Sequence, residues 1–276
     1  MIDAHSHIWT RNVEQFPLAN EKTVDDLDPP SFNYDELIAL TQPLGVSKVV
    51  LIQHGPYHGV DNSYVLHATR RYPEVFRVVA GIDDRREGTG ELMRKMLPQG
   101  VTGFRITPFF PARTNWLETP GMEEMWRVGA DTGQAICCLI NPEDLPAVSS
   151  MCERFPGTPV VIDHLSRIGA DGTIRDEDVS ELCKLAKQKQ VSVKVSAFYG
   201  LGAKQAPYLD LVPVIKRTFE AYGPQRLMWA SDCPYQLAPG HTYADSIALV
   251  RDHLDFLSPE DREWIFSKTA KRVYFF

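Results

Sequence analysis

The feature that most limits how this chain can fold is a recurrence. Short runs rich in Val and Ile alternate with longer stretches whose apolar residues fall at helical spacing. Continuous apolar runs suit strands buried on both faces, and their alternation with amphipathic helices marks βα units around a parallel sheet. The runs read as strands cover residues 2–8, 48–53, 78–82, 103–106, 135–140, 159–163, 191–195 and 226–230. Helical spacing covers 34–44, 62–72, 90–97, 121–132, 143–155, 176–188, 209–222 and 243–254. One more helix is predicted over 259–266, opened by the capping pattern Ser258-Pro259-Glu260-Asp261. Eight βα units in 276 residues predict an α/β protein of the (β/α)8 TIM-barrel class, a single domain over residues 1–276 with extra C-terminal helices. The tail, 269–276, is expected in the outer layer. Two irregular, proline-bearing stretches, 11–32 and 109–120, each follow a strand. Loops after barrel strands lie at the face that carries barrel active sites, so both are expected rims or lids.

Composition narrows the partners. A formal charge of -7 without a basic run excludes the phosphate-backbone binding that clustered Lys and Arg provide. No apolar run approaches the roughly 20 residues of a membrane helix, and the start lacks a basic segment leading into an apolar one. Five cysteines with no CxxC pair read as reduced thiols. The expectation is a cytoplasmic protein acting on a small molecule, with neither nucleic acid nor membrane as partner; the sequence allows a homo-oligomer.

The chemistry-bearing residues fall at strand ends. Asp3-Ala4-His5-Ser6-His7 lies on the first strand, where alternate side chains share a face, so His5 and His7 converge on one ion or one substrate atom. Asp3 shares their parity and is expected to orient an imidazole from beneath. His164 stands at the end of the sixth strand in Asp163-His164-Leu165-Ser166. Asp232, in Trp229-Ala230-Ser231-Asp232-Cys233-Pro234 after the eighth, is placed to ligate a metal or to take a proton from an attacking water. Bland readings exist for each: an exposed histidine pair, a hydrogen-bonded core histidine, an aspartate opening a turn.

Together these segments, with Val193-Lys194-Val195-Ser196 on the seventh strand and Val101-Thr102-Gly103-Phe104-Arg105 on the fourth, resemble the amidohydrolase superfamily. They are similar in particular to its amidohydrolase-related branch, which includes lactonases acting on pyrone dicarboxylate, sulfomuconolactone and sugar lactones. The resemblance implies metal-site residues at His5, His7, His164 and Asp232, with Asp232 as general base. It also implies that Arg105 faces a substrate carboxylate, a task suited to a planar guanidinium.

The departures matter too. The fifth strand carries Cys137 and Cys138 but no histidine, which disfavours a binuclear centre. A single divalent ion, Zn or Mn, would rest on His5, His7 and Asp232 with His164. The branch includes metal-free members, so metal-free catalysis stays open. Pyrone dicarboxylate is disfavoured as substrate because only Arg113 accompanies Arg105 on the strand-four side. Phe109, Phe110 and Trp116 in that loop suit either packing or a ring-shaped substrate portion. Further substrate-binding candidates are Trp9, His54, Tyr57, His58, Lys194, Tyr199 and Tyr235; Lys194 alternatively neutralises Asp163. The expected function is opening of a sugar-acid or muconate-type lactone by general-base activation of water. Two rivals stand beside it: nonoxidative decarboxylation of an aromatic or enoic acid, and a non-catalytic barrel that binds a sugar acid.

Overall fold

A computed structural model of the protein describes residues 1–109 and 114–276. Eight parallel strands stand side by side in chain order: β1 (Ile2–Ser6), β2 (Lys48–Ile52), β3 (Phe76–Ala80), β4 (Val101–Ile106), β5 (Ala135–Cys138), β6 (Val160–Ile162), β7 (Val191–Val195) and β8 (Leu227–Trp229). The sheet closes where β1 meets the segment after β8. There the Asp232 N–H donates to the His5 carbonyl at 2.9 Å and the His7 N–H to the Cys233 carbonyl at 2.7 Å. Helices fill the intervals, and the chain is a (β/α)8 barrel.

Local chemistry explains where the elements start and stop. Asn33 opens the helix Tyr34–Thr41 by accepting from the Asp35 and Glu36 N–H groups. Pro120 begins Pro120–Thr132 behind the Thr119 cap, and Gly133, at φ +77°, ends it. β3 starts earlier than its apolar run suggests, because Phe76 pairs with Val49. It stops before Gly81, whose N–H donates to the Asn62 side chain rather than to a strand.

Two apolar layers result. One lies between strands and helices; the other fills the barrel, with Ala4, Val50, Val79, Val161 and Met228 among its members. The tail corrects an expectation. The helix Thr269–Tyr274 does not join the outer layer: Ala270 and Tyr274 are fully buried in the barrel-filling cluster, and Tyr274 OH meets Cys137 Sγ at 3.4 Å. An amphipathic tail buries its apolar side in whatever apolar surface is uncovered, and here that surface is the barrel's own interior. No helix among the described residues is long and apolar enough to cross a membrane.

Candidate active site

Strand alternation brings the first pair together: His5 Nε2 and His7 Nε2 lie 3.3 Å apart. Asp232 Oδ1 stands 3.4 Å from each of them. His164 approaches the other carboxylate oxygen, with Nε2 3.8 Å from Oδ2, and its Nδ1 is hydrogen-bonded to Ser196 Oγ at 2.9 Å. All four side chains are buried. Their backbone is unusual: Asp232 has φ +64°, and residues 164–167 all lie between +51° and +57°. Non-glycine residues hold such conformations only where surrounding structure enforces them, which is common at functional sites.

Beneath the imidazoles lies a buried ion pair, Lys194 Nζ to Asp163 Oδ1, 2.9 Å. Lys194 also sits 3.1 Å from His5 Nδ1. Burial pushes the Asp163 carboxyl up, but Lys194, then His5, outweigh it and hold the group well below the usual carboxylate range. Burial, with the charge of Lys194, holds His5 well below the ordinary imidazole value, and burial lowers His164 to about 4. Burial also opposes ionisation of Asp232, but its imidazole neighbours, His164 foremost, prevail and depress its pKa. At neutral pH Asp232 is therefore a carboxylate and His5 and His164 are neutral imidazoles, the state required of metal ligands and of a proton acceptor.

The residues open onto a cavity of about 480 Å³. His7, Arg105, His164 and Asp232 line its floor, and His54, Tyr199 and Tyr235 line its walls. Tyr199 OH donates to Asp232 Oδ2 at 2.7 Å. His54 Nε2 and Tyr235 OH are 2.6 Å apart, and burial together with His7 pushes His54 down to about 2, so it is neutral. Arg105 reaches the cavity with no hydrogen bond to a described residue; its ion pair is Nε to Asp163 Oδ2, 3.4 Å.

Other candidates lie elsewhere. Trp9, Tyr57 and His58 are buried behind the wall, where Trp9 Nε1 donates to the Pro29 carbonyl, Tyr57 OH accepts from the Asp28 N–H and His58 Nδ1 meets the Pro17 carbonyl. Lys194 is sealed under the floor by its pairing with Asp163. Asp3 does not touch an imidazole ring. Its carboxylate accepts from the His5 and Ser231 N–H groups, Ser231 Oγ and Tyr243 OH, and so fastens β1 to the end of β8. In the loop after β4, Phe109 lines the cavity and Trp116 is buried, while Phe110 and Arg113 lie outside the described residues. Sequence reasoning missed Arg167, which also lines the cavity.

A divalent ion fits this donor set. Ligands about 2.1 Å from a tetrahedral ion stand roughly 3.4 Å from one another. His5 Nε2, His7 Nε2 and Asp232 Oδ1 form a triangle of 3.3, 3.4 and 3.4 Å. Among the described residues Asp232 Oδ1 is buried without a hydrogen-bond partner, and His7 Nδ1 donates to the Ile52 carbonyl at 2.9 Å, leaving Nε2 as the lone-pair nitrogen. His164 also belongs to a compact grouping, its ligand atom, those of His5 and Asp232 lying within 4.8 Å of one another.

Imidazoles at the ends of β1 and β6 and an aspartate after β8, meeting at one end of a closed barrel, define the active site of a hydrolase. The amidohydrolase family pattern matches residues 2–276, and the chain belongs to that family. It is 27% identical to the L-fucono-1,5-lactonase of Burkholderia ambifaria over 99% of this chain and 94% of that one. It is 28% identical to the 4-sulfomuconolactone hydrolase of Rhizobium radiobacter over 84% and 75% of the two chains. Among solved structures, an amidohydrolase from Burkholderia multivorans with bound zinc superposes with a TM-score of 0.83 at 20% identity, covering 99% of this chain and 98% of that one.

Proposed function

We propose that the protein opens a lactone ring by hydrolysis, with Asp232 as the base. The observation that carries this reading is the meeting of Asp232 Oδ1 with two imidazole nitrogens at 3.4 Å on the floor of a cavity large enough for a small ring. Curated relatives along most of the chain bear lactonase names, which supports the same class. The five free cysteines suit a cytoplasmic setting.

His5, His7 and Asp232 would hold a divalent ion, Zn or Mn, with His164 beside it. When bound, such an ion lowers the pKa of water and polarises a carbonyl. The chain's own residues do the rest. Ionised Asp232 takes the proton of the attacking water, while Tyr199 holds Oδ2 in place. His164, anchored by Ser196, presents Nε2 where the carbonyl oxygen gains charge. Asp232, now protonated, returns the proton to the leaving alkoxide. Arg105 offers its guanidinium edge to a negatively charged part of the substrate.

The test is a pH-indicator screen of sugar-derived and muconate-derived lactones, with carbon dioxide release followed in parallel. Acid release on ring opening is the expected result. Turnover of a carboxylic acid to carbon dioxide, with every lactone left intact, would replace hydrolysis by decarboxylation.

A further inference from the structure

The turn after β6 delivers two side chains to the cavity, and only one of them is needed for the chemistry above. A helical turn of either hand returns positions three apart to one side, and residues 164–167 form such a turn in the left-handed sense. His164 thereby reaches Asp232, and Arg167 faces the same cavity.

The Arg167 guanidinium is fixed in place. Nη1 donates to Asn141 Oδ1 at 2.8 Å, and its carbon lies 4.9 Å from the centre of the Phe109 ring. Among the described residues no carboxylate pairs with it. Arg105 is the second guanidinium on this surface, and its partner Asp163 is already matched by Lys194 at 2.9 Å. The described lining holds one carboxylate, Asp232, which Tyr199 and the imidazoles engage. Two guanidinium groups against one carboxylate, between apolar walls at Ile82, Leu139 and Leu201, leave the cavity with unmatched positive charge. In such a low-dielectric space that charge favours an anion over a neutral ligand of the same shape.

We infer that Arg167 recognises a carboxylate on the substrate, so that the lactone opened here is acidic, of the muconolactone kind, rather than a neutral sugar lactone. This rests on the lactonase reading and adds the substrate class to it. Arg167 binds the remote anionic group while Asp232 and His164 act at the ring carbonyl.

Muconolactone and its methyl ester differ in this one charge and are the probes. Wild-type protein is expected to favour the acid by at least roughly tenfold in kcat/KM. Arg167→Met should lose about 10- to 100-fold on the acid, chiefly in KM, and little on the ester. Asn141→Ala, which only frees the guanidinium from its anchor, should give a smaller loss in the same direction. Equal losses on acid and ester, or a wild-type preference for the ester or for L-fucono-1,5-lactone, would overturn the inference. Calorimetric titration with cis,cis-muconate needs no turnover and separates the two readings. Muconate binding that depends on Arg167, with no lactone opened, sinks hydrolysis and keeps anion recognition. Lactone opening without acid preference, and without muconate binding, does the reverse.

Discussion

Lys194 Nζ lies 2.9 Å from Asp163 Oδ1, and both side chains are fully buried under the floor of the cavity. Neither group touches the substrate space, yet His5 rests on both, 3.1 Å from the ammonium and 3.6 Å from the carboxylate. Removing Lys194 leaves Asp163, in a place water does not reach, with only the longer Arg105 contact at 3.4 Å to match its charge. Lys194→Met is therefore expected to destabilise the fold by about 3–5 kcal/mol. The double change with Asp163→Asn should recover much of the loss. Urea unfolding of the three variants checks this, and a double mutant no more stable than Lys194→Met would refute it.

Asp232 is the group whose loss should cost most in turnover and least in binding. Asp232→Asn keeps the shape and the Tyr199 contact but cannot accept a proton. Turnover should fall by roughly 100- to 10,000-fold or more, while calorimetry shows a ligand affinity close to that of wild type. Comparable activity in the two proteins would remove Asp232 from the mechanism.

The triangle of His5, His7 and Asp232 predicts metal dependence. Exhaustive chelation is expected to abolish activity, and Zn or Mn to restore it. Elemental analysis should find about one ion per chain, and His7→Ala should weaken retention by at least tenfold, since a tetrahedral site then loses a third of its protein ligands. Full activity at zero bound metal would leave the imidazoles acting as hydrogen-bond groups alone.

How far the sequence showed this site depends on the kind of information each residue needed. His5 and His7 were readable because strand parity sends both to one face, and Asp232 and His164 because strand ends in a barrel share a rim. Parity gives a face but not a depth. Lys194 has the inward parity of Ser196 and still lies below the cavity, and Trp9, Tyr57 and His58 sit one layer behind it. Arg167 was invisible because the left-handed turn that aims it contains His164, Leu165 and Ser166 and no glycine to signal positive φ. The eight-fold alternation marked the barrel, yet helical spacing in the tail could not say which apolar surface Tyr274 would find.

Acid should unfold the metal-free protein earlier than its carboxylates alone require. Burial holds His54 at about 2 and His164 at about 4, whereas both titrate near 6.5 in the unfolded chain. As pH falls below about 6.5 the unfolded state takes up protons that the folded state refuses, so stability drops with falling pH through this window. Each of the two contributes about 3 kcal/mol of loss by pH 4. Asp163, also depressed, adds a loss at lower pH. Denaturation in chelator between pH 7 and pH 4.5 measures the slope. His54→Phe should reduce it by about 1.4 kcal/mol per pH unit; an unchanged slope would mean that His54 is not held neutral.

Tyr274 links the end of the chain to the chemistry at the opposite face. Its ring is fully buried inside the barrel, its OH meets Cys137 Sγ at 3.4 Å, and its centre lies 5.5 Å from Lys194 Nζ. The ring thus packs beneath the ammonium that supports Asp163 and His5. Tyr274→Phe loses one weak hydrogen bond and should cost about 1 kcal/mol with activity retained. Tyr274→Ala opens a cavity under Lys194 and should cost about 3–5 kcal/mol. Water entering that cavity would solvate the Lys194–Asp163 pair and loosen His5, so turnover should fall further than the population of unfolded protein explains. Activity per folded molecule, from unfolding curves and rates at one temperature, is the readout. Equal values for wild type and Tyr274→Ala would confine the tail to a packing role.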